Sequence, residues 1–268
     1  MTQTAFHQKI RITGSLTYDT AFHIGTGKEG EPAADMGVLK DAPDWPVLPG
    51  STLKGCFRAT AERLSGYLGA TACLLDRSLS KMDCVGDQNY FMKVNHSFKN
   101  IRKEQKKLDW LGKNTCHICQ LFGSPLQASR IFFSDGQLKR RQGGCQVRNG
   151  VVNDRDSGTA CHGLKYDFGA GPIATSFEIF IEMENPTSMD LAIVGAVIAE
   201  WQSGFRLGGF SFRGQGRTVL TETRIEQVDY RNIAHLQAYL LKRHMQPADA
   251  LLSDALQKTL NERGDMSC

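Results

Sequence analysis

FHIGTG at residues 22–27 opens the stretch that decides the fold, and DMGVLKD at 35–41 and LPGSTLKG at 48–55 complete it. The two glycines of the first segment allow a tight backbone turn after a strand. The third segment predicts the start of a helix with Ser51 as the N-cap. Because the N–H groups at a helix start are unpaired and partly positive, this start is a candidate seat for phosphate. The cations of its first turns are Lys54 and Arg58.

Hydrophobic periodicity on either side of this stretch predicts a mixed α+β fold. Residues 9–18 and 177–184 alternate between apolar and polar side chains and predict strands. Residues 51–67 and 191–201 carry apolar side chains at helical spacing and predict helices. The order β-α-insertion-β-hairpin-β-α-β is that of a ferredoxin-like (RRM-like) core. The remaining elements are a β-rich segment at 130–134, a glycine-rich loop at 204–216, a final strand at 217–228 and C-terminal helices at 231–263.

The segment from about residue 69 to residue 124 has no long periodicity and predicts an irregular insertion that carries cysteines. Its Cys116 and Cys119 have the spacing of a zinc knuckle, because two intervening residues let both sulfurs reach one tetrahedral ion. A redox role is the rival interpretation, but we expect the motif to lie in irregular chain and not to open a helix. Cys84 and Cys73 are the expected remaining zinc ligands, and His96 and His117 compete with Cys73 for the fourth position.

Composition sets wider limits on function. The formal net charge of +4 permits nucleic acid without demanding it. Eight cysteines without a secretion signal argue against a disulfide framework. The longest apolar run, at 191–199, is too short to cross a membrane. The sequence therefore predicts a cytoplasmic protein without a membrane partner.

The opening segments resemble motifs of the RAMP superfamily, and in particular the target-RNA-cleaving backbone subunits of type III CRISPR RNA-guided effector complexes. The family pattern is an HIG loop, a lone Asp, a V-x-[KR]-D step and PGSSLKG, and this chain departs from it only by Thr52 in place of the second Ser. Further steps follow in the family's order. They are CHICQLFG at 116–123, ASRI at 128–131, RNGV with Asp-Arg and Gly at 148–158, and the glycine-rich pattern at 208–217.

This resemblance implies a single RAMP domain over 1–268 with a ferredoxin-like core. Within this domain we expect 69–124 to be an insertion, to which the cysteine spacing assigns zinc, and 231–268 to form C-terminal helices. Residues 140–172, which by composition alone would be a polar loop, become a β-hairpin thumb that wedges into a guide–target duplex. The implied partners are guide CRISPR RNA, complementary target RNA, other effector subunits and copies of the chain itself, joined in a ribonucleoprotein complex for antiviral defence.

A subunit of this kind must grip RNA phosphates without reading bases, which backbone N–H groups of glycine loops and helix starts can do with help from Lys and Arg. A dinucleotide-binding role for the glycines is disfavoured, because the loop at 208–216 does not open a βαβ crossover helix. The resemblance implies RNA binding by His23, Gly25, Gly27, Ser51, Lys54, Arg58, Arg148, Arg155, Gly208, Gly209, Arg213, Gly214 and Gly216.

The resemblance also maps the family's cleaving carboxylate onto Asp35, which we expect in a loop. Spacing favours it over Asp41, whose place in the V-L-K-D step indicates a structural role. RNA carries its own nucleophile, the 2′-hydroxyl, and a loop carboxylate that holds Mg²⁺ or Mn²⁺ can align it and offset developing charge. Two alternatives stay open. One is a metal-independent transcript-processing endoribonuclease that uses His23, and the other is a filament subunit that binds RNA without cutting it.

Overall fold

A computed structural model describes residues 5–31, 34–41 and 45–264, with the backbone alone at 28–31, 34 and 35. The strands are β1 (Gln8–Tyr18), β2 (Gly25–Glu31), β3 (Ala34–Val38), β4 (Ile131–Phe133), β5 (Gln137–Arg140), β6 (Gln146–Asn153), β7 (Ala160–Ala170), β8 (Ser176–Glu184), β9 (Phe205–Arg206), β10 (Arg217–Asp229) and β11 (Gln246–Pro247). The helices are α1 (Gly50–Leu68), α2 (Arg77–Ser80), α3 (Gln88–Lys99), α4 (Glu104–Asn114), α5 (His117–Phe122), α6 (Ser188–Ser203), α7 (Ile233–Lys242) and α8 (Leu251–Gly264), with a 3-10 turn at Ser211–Arg213.

The central sheet has the strand order β11-β10-β1-β8-β4, and its neighbouring strands are antiparallel. Ile12 of β1 lies opposite Ile181 on one side and Ile225 on the other. Alternate side chains of β1 and β8 are fully buried, as expected when one face of a sheet carries the core. Helices α1 and α6 pack on that core, where the rings of Phe57 and Trp201 are 5.0 Å apart. These features confirm the predicted α+β class.

A second sheet has the strand order β2-β3-β7-β6. Strands β6 and β7 form a long antiparallel hairpin that closes at residues 154–159. Most of its side chains from 146 to 165 are exposed, so the outer part of the hairpin has no core on either face. Its base is joined to the rest of the sheet where Phe168 pairs with Met36 of β3.

The lack of periodicity predicts an irregular segment at 69–124. The structure instead has four helices there, α2 to α5. These helices are short, and in α3 and α4 the only fully buried side chain is Leu111. An apolar stripe is therefore nearly absent, which is why periodicity did not indicate them. Side chains of Asp76, Asp87 and Cys116 cap the starts of α2, α3 and α5.

Two further expectations need correction. Pro49, not Ser51, occupies the N-cap position of α1, and it offers no side-chain cap. The Gly50 N–H instead donates to the Asp135 carboxylate at 2.7 Å, a contact across 85 positions that local sequence cannot show. Tyr67, expected on the apolar face of this helix, is exposed because α1 ends at Leu68 and turns into a left-handed Gly69.

Candidate functional site

An open cleft of about 410 Å³ is lined by the three segments in which the sequence predicts phosphate-binding residues. The first turns of α1, the end of the FHIG segment and the glycine-rich loop each form part of its wall. The lining residues are His23, Ile24, Gly25, Thr52, Cys56, Arg206, Leu207, Gly208 and Gly209.

Close backbone contact explains the glycines of this cleft. Gly209 donates its N–H to the His23 carbonyl at 2.7 Å. Gly208 has a φ of +104°, and a Cβ there would lie 2.5 Å from the same carbonyl oxygen. Any side chain at 208 would therefore force the loop away from the FHIG segment. Gly216 fixes the far end of the loop through an N–H bond to the Ala21 carbonyl at 2.8 Å.

His23 is a packed and hydrogen-bonded side chain at the back of the cleft. It is buried, and its Nδ1 lies 2.7 Å from the Gly169 carbonyl, so Nδ1 carries the proton and donates. The ring meets Phe210 edge-on at 5.0 Å between centroids. Its other nitrogen points at Gly25, where a Cβ would lie 2.9 Å from Nε2. These contacts give His23 the structural role of joining β7 to the glycine-rich loop.

Asp35 lies in strand β3 and not in the expected loop. Its neighbour Met36 pairs with Phe168, whose ring packs against Phe210 at 4.4 Å and lies 6.5 Å from the ring of His23. The backbone of Asp35 is thus one residue from a strand pair that lies behind the cleft residue His23, while its side chain lies outside the described part of the chain. Asp41 accepts the Trp45 N–H at 2.8 Å, in keeping with a structural role.

The start of α1 is less favourable for phosphate binding than the sequence predicts, because other side chains already contact its N–H group and its lysine. Asp135 already accepts the Gly50 N–H, and its negative charge opposes an anion there. Ser51 is exposed in the first turn. Lys54 is half-buried and donates to Ser129 Oγ at 3.2 Å. Burial lowers the pKa of Lys54, and the nearby Arg58 charge adds to that effect.

Arg58 points toward the cysteines of the insertion. Its Nη2 donates to Cys119 Sγ at 3.2 Å, and its Nε donates to Glu62 at 2.9 Å. The guanidinium also lies 5.9 Å from the centre of the Phe122 ring. Phosphate binding by Arg58 would have to compete with these contacts.

The other residues expected at RNA lie on the hairpin and around the glycine-rich loop. Arg148 is exposed on β6, and Arg155 is exposed in the turn that closes the hairpin. Gly27 and Gly214 both have positive φ, with open space where a Cβ would stand. The guanidinium of Arg213 donates to the Tyr166 hydroxyl and lies over the rings of Tyr166 and Phe210.

Cys56 also lines the cleft, from the middle of α1. Its thiol lies 3.7 Å from the Arg206 carbonyl, and burial raises its pKa to about 11. A thiol with that pKa stays protonated near neutral pH, which argues against Cys56 as a nucleophile.

Four buried cysteines form a cluster whose Sγ atoms all lie within 4.8 Å of one another. One pair, Cys73 and Cys119, has its sulfurs 3.6 Å apart. Four sulfurs bound to one zinc ion lie about 3.8 Å apart, given Zn–S bonds of about 2.3 Å, whereas a disulfide requires about 2.05 Å. The cluster could hold a metal ion, and its members are Cys73, Cys84, Cys116 and Cys119.

Backbone groups around this cluster suit thiolate sulfur. The N–H groups of Gly86 and Cys116 both donate to Cys84 Sγ at 3.3 Å. A Cβ at Gly86 would collide with Cys119 Sγ. Hydrogen bonds with Cys116 and then Cys119 lower the pKa of Cys73 to about 7 and the pKa of Cys84 well below its ordinary range. Hydrogen bonds with Cys116, Cys73 and Cys84 raise the pKa of Cys119, so the four thiols do not ionise alike.

The two histidines that competed for the zinc role make other contacts. His117 Nδ1 accepts the Thr71 N–H at 3.0 Å, and His96 lies beside the Asn100 amide at 3.3 Å. The expectation that the CxxC motif lies in irregular chain is wrong, because Cys116 is the N-cap of α5 and accepts the Cys119 N–H. The preceding element is helix α4 and not a strand, so the thioredoxin arrangement is still absent from this motif.

Several residues at the cleft were missed by sequence reasoning. Arg206 lines it, Phe210 and Phe168 pack behind it, and Asp135 lies at the start of α1. For Phe210 the sequence offered one signal, the two aromatic residues in GGFSFRG at 208–214. The prediction for this loop considered its glycines and not its aromatic residues.

A family model described as the RAMP superfamily matches residues 15–219. Since the match covers well over half of the chain, the protein belongs to the RAMP superfamily. RAMP proteins generally bind CRISPR RNA within effector complexes, and some members are endoribonucleases. Among curated proteins, no match to the chain is found. Within the described ranges, no helix combines the length and the apolar character needed to cross a bilayer.

Proposed function

We propose that this protein is a guide-RNA-binding backbone subunit of a type III-like CRISPR effector and that it cleaves complementary target RNA. The observation that carries the proposal is the cleft, where an FHIG turn, the first turns of α1 and a glycine-rich loop meet. Backbone groups held this close to open space can follow a phosphate chain without reading its bases. Membership of the RAMP superfamily makes CRISPR RNA the expected ligand.

The central sheet supports a ferredoxin-like core in this proposal. Its four principal strands have the spatial order β10-β1-β8-β4, and α1 and α6 are the two helices that connect β1 to β4 and β8 to β10. Chain order and strand pairing together are those expected of a βαββαβ unit. In this arrangement the β6–β7 hairpin is an addition before the third core strand, and we assign it as the thumb that contacts the guide–target duplex.

Target cleavage is assigned to Asp35. In this assignment the target 2′-hydroxyl gives up its proton to water, and its oxygen attacks the adjacent phosphorus. The bond from that phosphorus to the 5′-oxygen of the next nucleotide breaks, the leaving oxygen takes up a proton from water, and a 2′,3′-cyclic phosphate remains. The carboxylate of Asp35 helps to orient the reacting groups. A divalent ion, Mg²⁺ or Mn²⁺, would supply charge stabilisation when bound. The position of the Asp35 backbone beside the Met36–Phe168 pair supports this role, because the ring of Phe168 lies behind the cleft residue His23.

We assign a structural zinc ion to the four-cysteine cluster. Its support is the buried set of four sulfurs, backbone N–H donors to Cys84 and the guanidinium donor to Cys119. Closed sites with four cysteines are structural and leave no position for substrate. This zinc would therefore organise the 69–124 insertion and take no part in cleavage.

The first prediction tests the assignment of Asp35. Asp35→Ala should lower target-RNA cleavage by about 10²–10³-fold, the typical effect of removing one group that stabilises the transition state. Guide and target binding should stay nearly unchanged, because binding comes from many phosphate contacts. The measurement is single-turnover cleavage of a complementary RNA by the assembled complex, together with RNA affinity. Asp41→Ala is the matched control, since Asp41 contacts Trp45.

Metal and substrate variants separate this proposal from its rivals. Cleavage should require Mg²⁺ or Mn²⁺, stop with a chelator and fail when the attacking nucleotide is 2′-deoxy. Cleavage that survives chelation and Asp35→Ala but is lost in His23→Ala would assign the chemistry to the histidine. RNA binding without cleavage by the wild-type complex would support the other alternative, a filament subunit that binds RNA without cutting it.

A further inference from the structure

Phe212 is an aromatic side chain that is fully exposed to solvent in the middle of the 3-10 turn Ser211–Arg213. The turn belongs to the glycine-rich loop, whose residues Arg206 to Gly209 line the cleft. A phenyl ring that stays in water gains no free energy of apolar burial within the chain, so it is available to bury its surface against a ligand. Because Phe212 is held next to a cleft, its ring can contact a ligand that binds there.

Two residues close to Phe212 in the chain, Phe210 and Arg213, are held by several contacts. Phe210 has a left-handed backbone with φ of 55°, and its ring packs against Phe168 at 4.4 Å. Arg213 donates its backbone N–H to the Phe210 carbonyl at 2.8 Å. The guanidinium of Arg213 also bonds the Tyr166 hydroxyl. Because both neighbours are anchored, ordering the turn when a ligand arrives costs little conformational entropy.

We propose that Phe212 is a stacking platform for a nucleobase of the bound RNA, an inference that rests on the proposed RNA-binding function. A flat apolar ring among cations is the pattern by which proteins hold single-stranded nucleic acid. Arg206 and Arg213 are exposed on the same loop and supply the positive charge. The neighbouring glycine-lined cleft supplies contacts for the phosphates.

Stacking also fits the needs of a guide-RNA subunit. Every base has a π face, so an aromatic platform tolerates any sequence. The backbone contacts of the cleft would fix the strand, and Phe212 would fix the orientation of one base beside it. The hairpin shares this support, since Tyr166 and Phe168 of β7 hold Arg213 and Phe210.

The test uses the full-length protein and a mixed-sequence single-stranded RNA that carries the fluorescent base 2-aminopurine at one position at a time. Wild-type protein should quench 2-aminopurine strongly at defined positions, because stacking on an aromatic ring quenches it. Phe212→Ala should abolish that quenching and weaken RNA affinity about tenfold, within the range for one base–aromatic stack. Phe212→Trp should keep both. Folding is checked by thermal unfolding, which should not change because the ring is fully exposed.

Tyr67→Ala is the matched control. Tyr67 is also an exposed aromatic residue, but it lies near the far end of α1, 15 residues after the cleft residue Thr52 and so about 22 Å along the helix axis. Its removal should leave quenching and affinity unchanged.

The outcomes separate this inference from the proposed function. Tight RNA binding with equal quenching in wild type and Phe212→Ala would overturn the stacking role alone. Absence of RNA binding by the wild-type protein would overturn the proposed function and the stacking role with it. Unchanged RNA binding by Phe212→Ala with loss of self-association in sedimentation would overturn stacking and place Phe212 at a contact between copies of the chain.

Discussion

Arg58 connects the helix that borders the cleft with the cysteine cluster of the insertion. Its guanidinium donates to Cys119 Sγ and to Glu62, and it is largely shielded from water. A zinc ion held by four thiolates would have a net charge of −2, which a hydrogen-bonded guanidinium offsets. Groups that contact metal ligands in this way tune the metal affinity of a site.

We therefore predict that Arg58→Gln weakens zinc binding by about 10- to 100-fold, the usual effect of losing such a group. Competition with a chromophoric chelator measures the affinity. Arg58→Lys should lose less, because it keeps the charge but not the forked geometry. Arg63→Gln is the control, since Arg63 is exposed on the same helix and contacts Thr60. Equal zinc affinity in wild type and Arg58→Gln would contradict the prediction.

Single positions also show where sequence reasoning stops. His23 was marked by its place in the FHIG segment. The contact of Asp135 with Gly50 and the direction of Arg58 were not, because each joins residues that are far apart in the chain. Contacts between distant residues decide which side chains line the cleft. The motifs therefore predicted the main segments of the cleft, but not Arg206 in its wall or Phe212 beside it.

At the scale of elements, the four helices of the segment 69–124 are short. Helices α2 to α5 are 4, 12, 11 and 6 residues long, and isolated helices shorter than about 12–15 residues are marginal in water. The buried side chains of this segment are concentrated near the cysteines. A bound metal would thus replace much of the core that the segment lacks.

We predict that the purified protein contains about one zinc per chain and that Cys116→Ser loses it. Without the metal, protease should cut within residues 77–122 while the central sheet stays folded. Elemental analysis and limited proteolysis measure the two effects. Cys161→Ser is the control, because Cys161 lies in β7 and outside the cluster. A zinc-free protein with a protease-resistant insertion would rule out the structural metal.

Long apolar or periodic elements were predictable, and short elements with few buried side chains were not. The core strands β1, β8 and β10 and the helix α1 follow clear hydrophobic patterns, because each buries one side against the same core, while α6 is apolar over most of its length. Helices α3 and α4 bury too few apolar side chains to leave such a pattern. The N-terminus of α1 was misplaced because Asp135, which is distant in sequence, accepts the first N–H in place of a local cap.

For the whole molecule, the cleft, the hairpin and the glycine-rich loop form one connected surface. An aromatic series of Tyr166, Phe168, Phe210 and His23 joins the base of the hairpin to the back of the cleft. Exposed cations lie along it, at Arg206 and Arg213 near the cleft and at Arg148 and Arg155 on the hairpin. RNA that follows this surface would meet phosphate-binding groups over several nucleotides.

We predict that guide RNA binds with little dependence on its sequence and with a steep dependence on salt. For single-stranded RNA, the logarithm of affinity should fall with the logarithm of salt concentration at a slope of about −0.7 per phosphate neutralised. Arg206→Gln should reduce the magnitude of that slope by about 0.7 for every guide sequence tested. Arg231→Gln should not, since Arg231 lies beyond the opposite end of β10 and pairs with Asp229. Filter binding over a salt series with two unrelated guides measures both effects. A larger change in affinity from exchanging the guide than from raising the salt would mean that the surface reads bases, which backbone contacts and stacking cannot do.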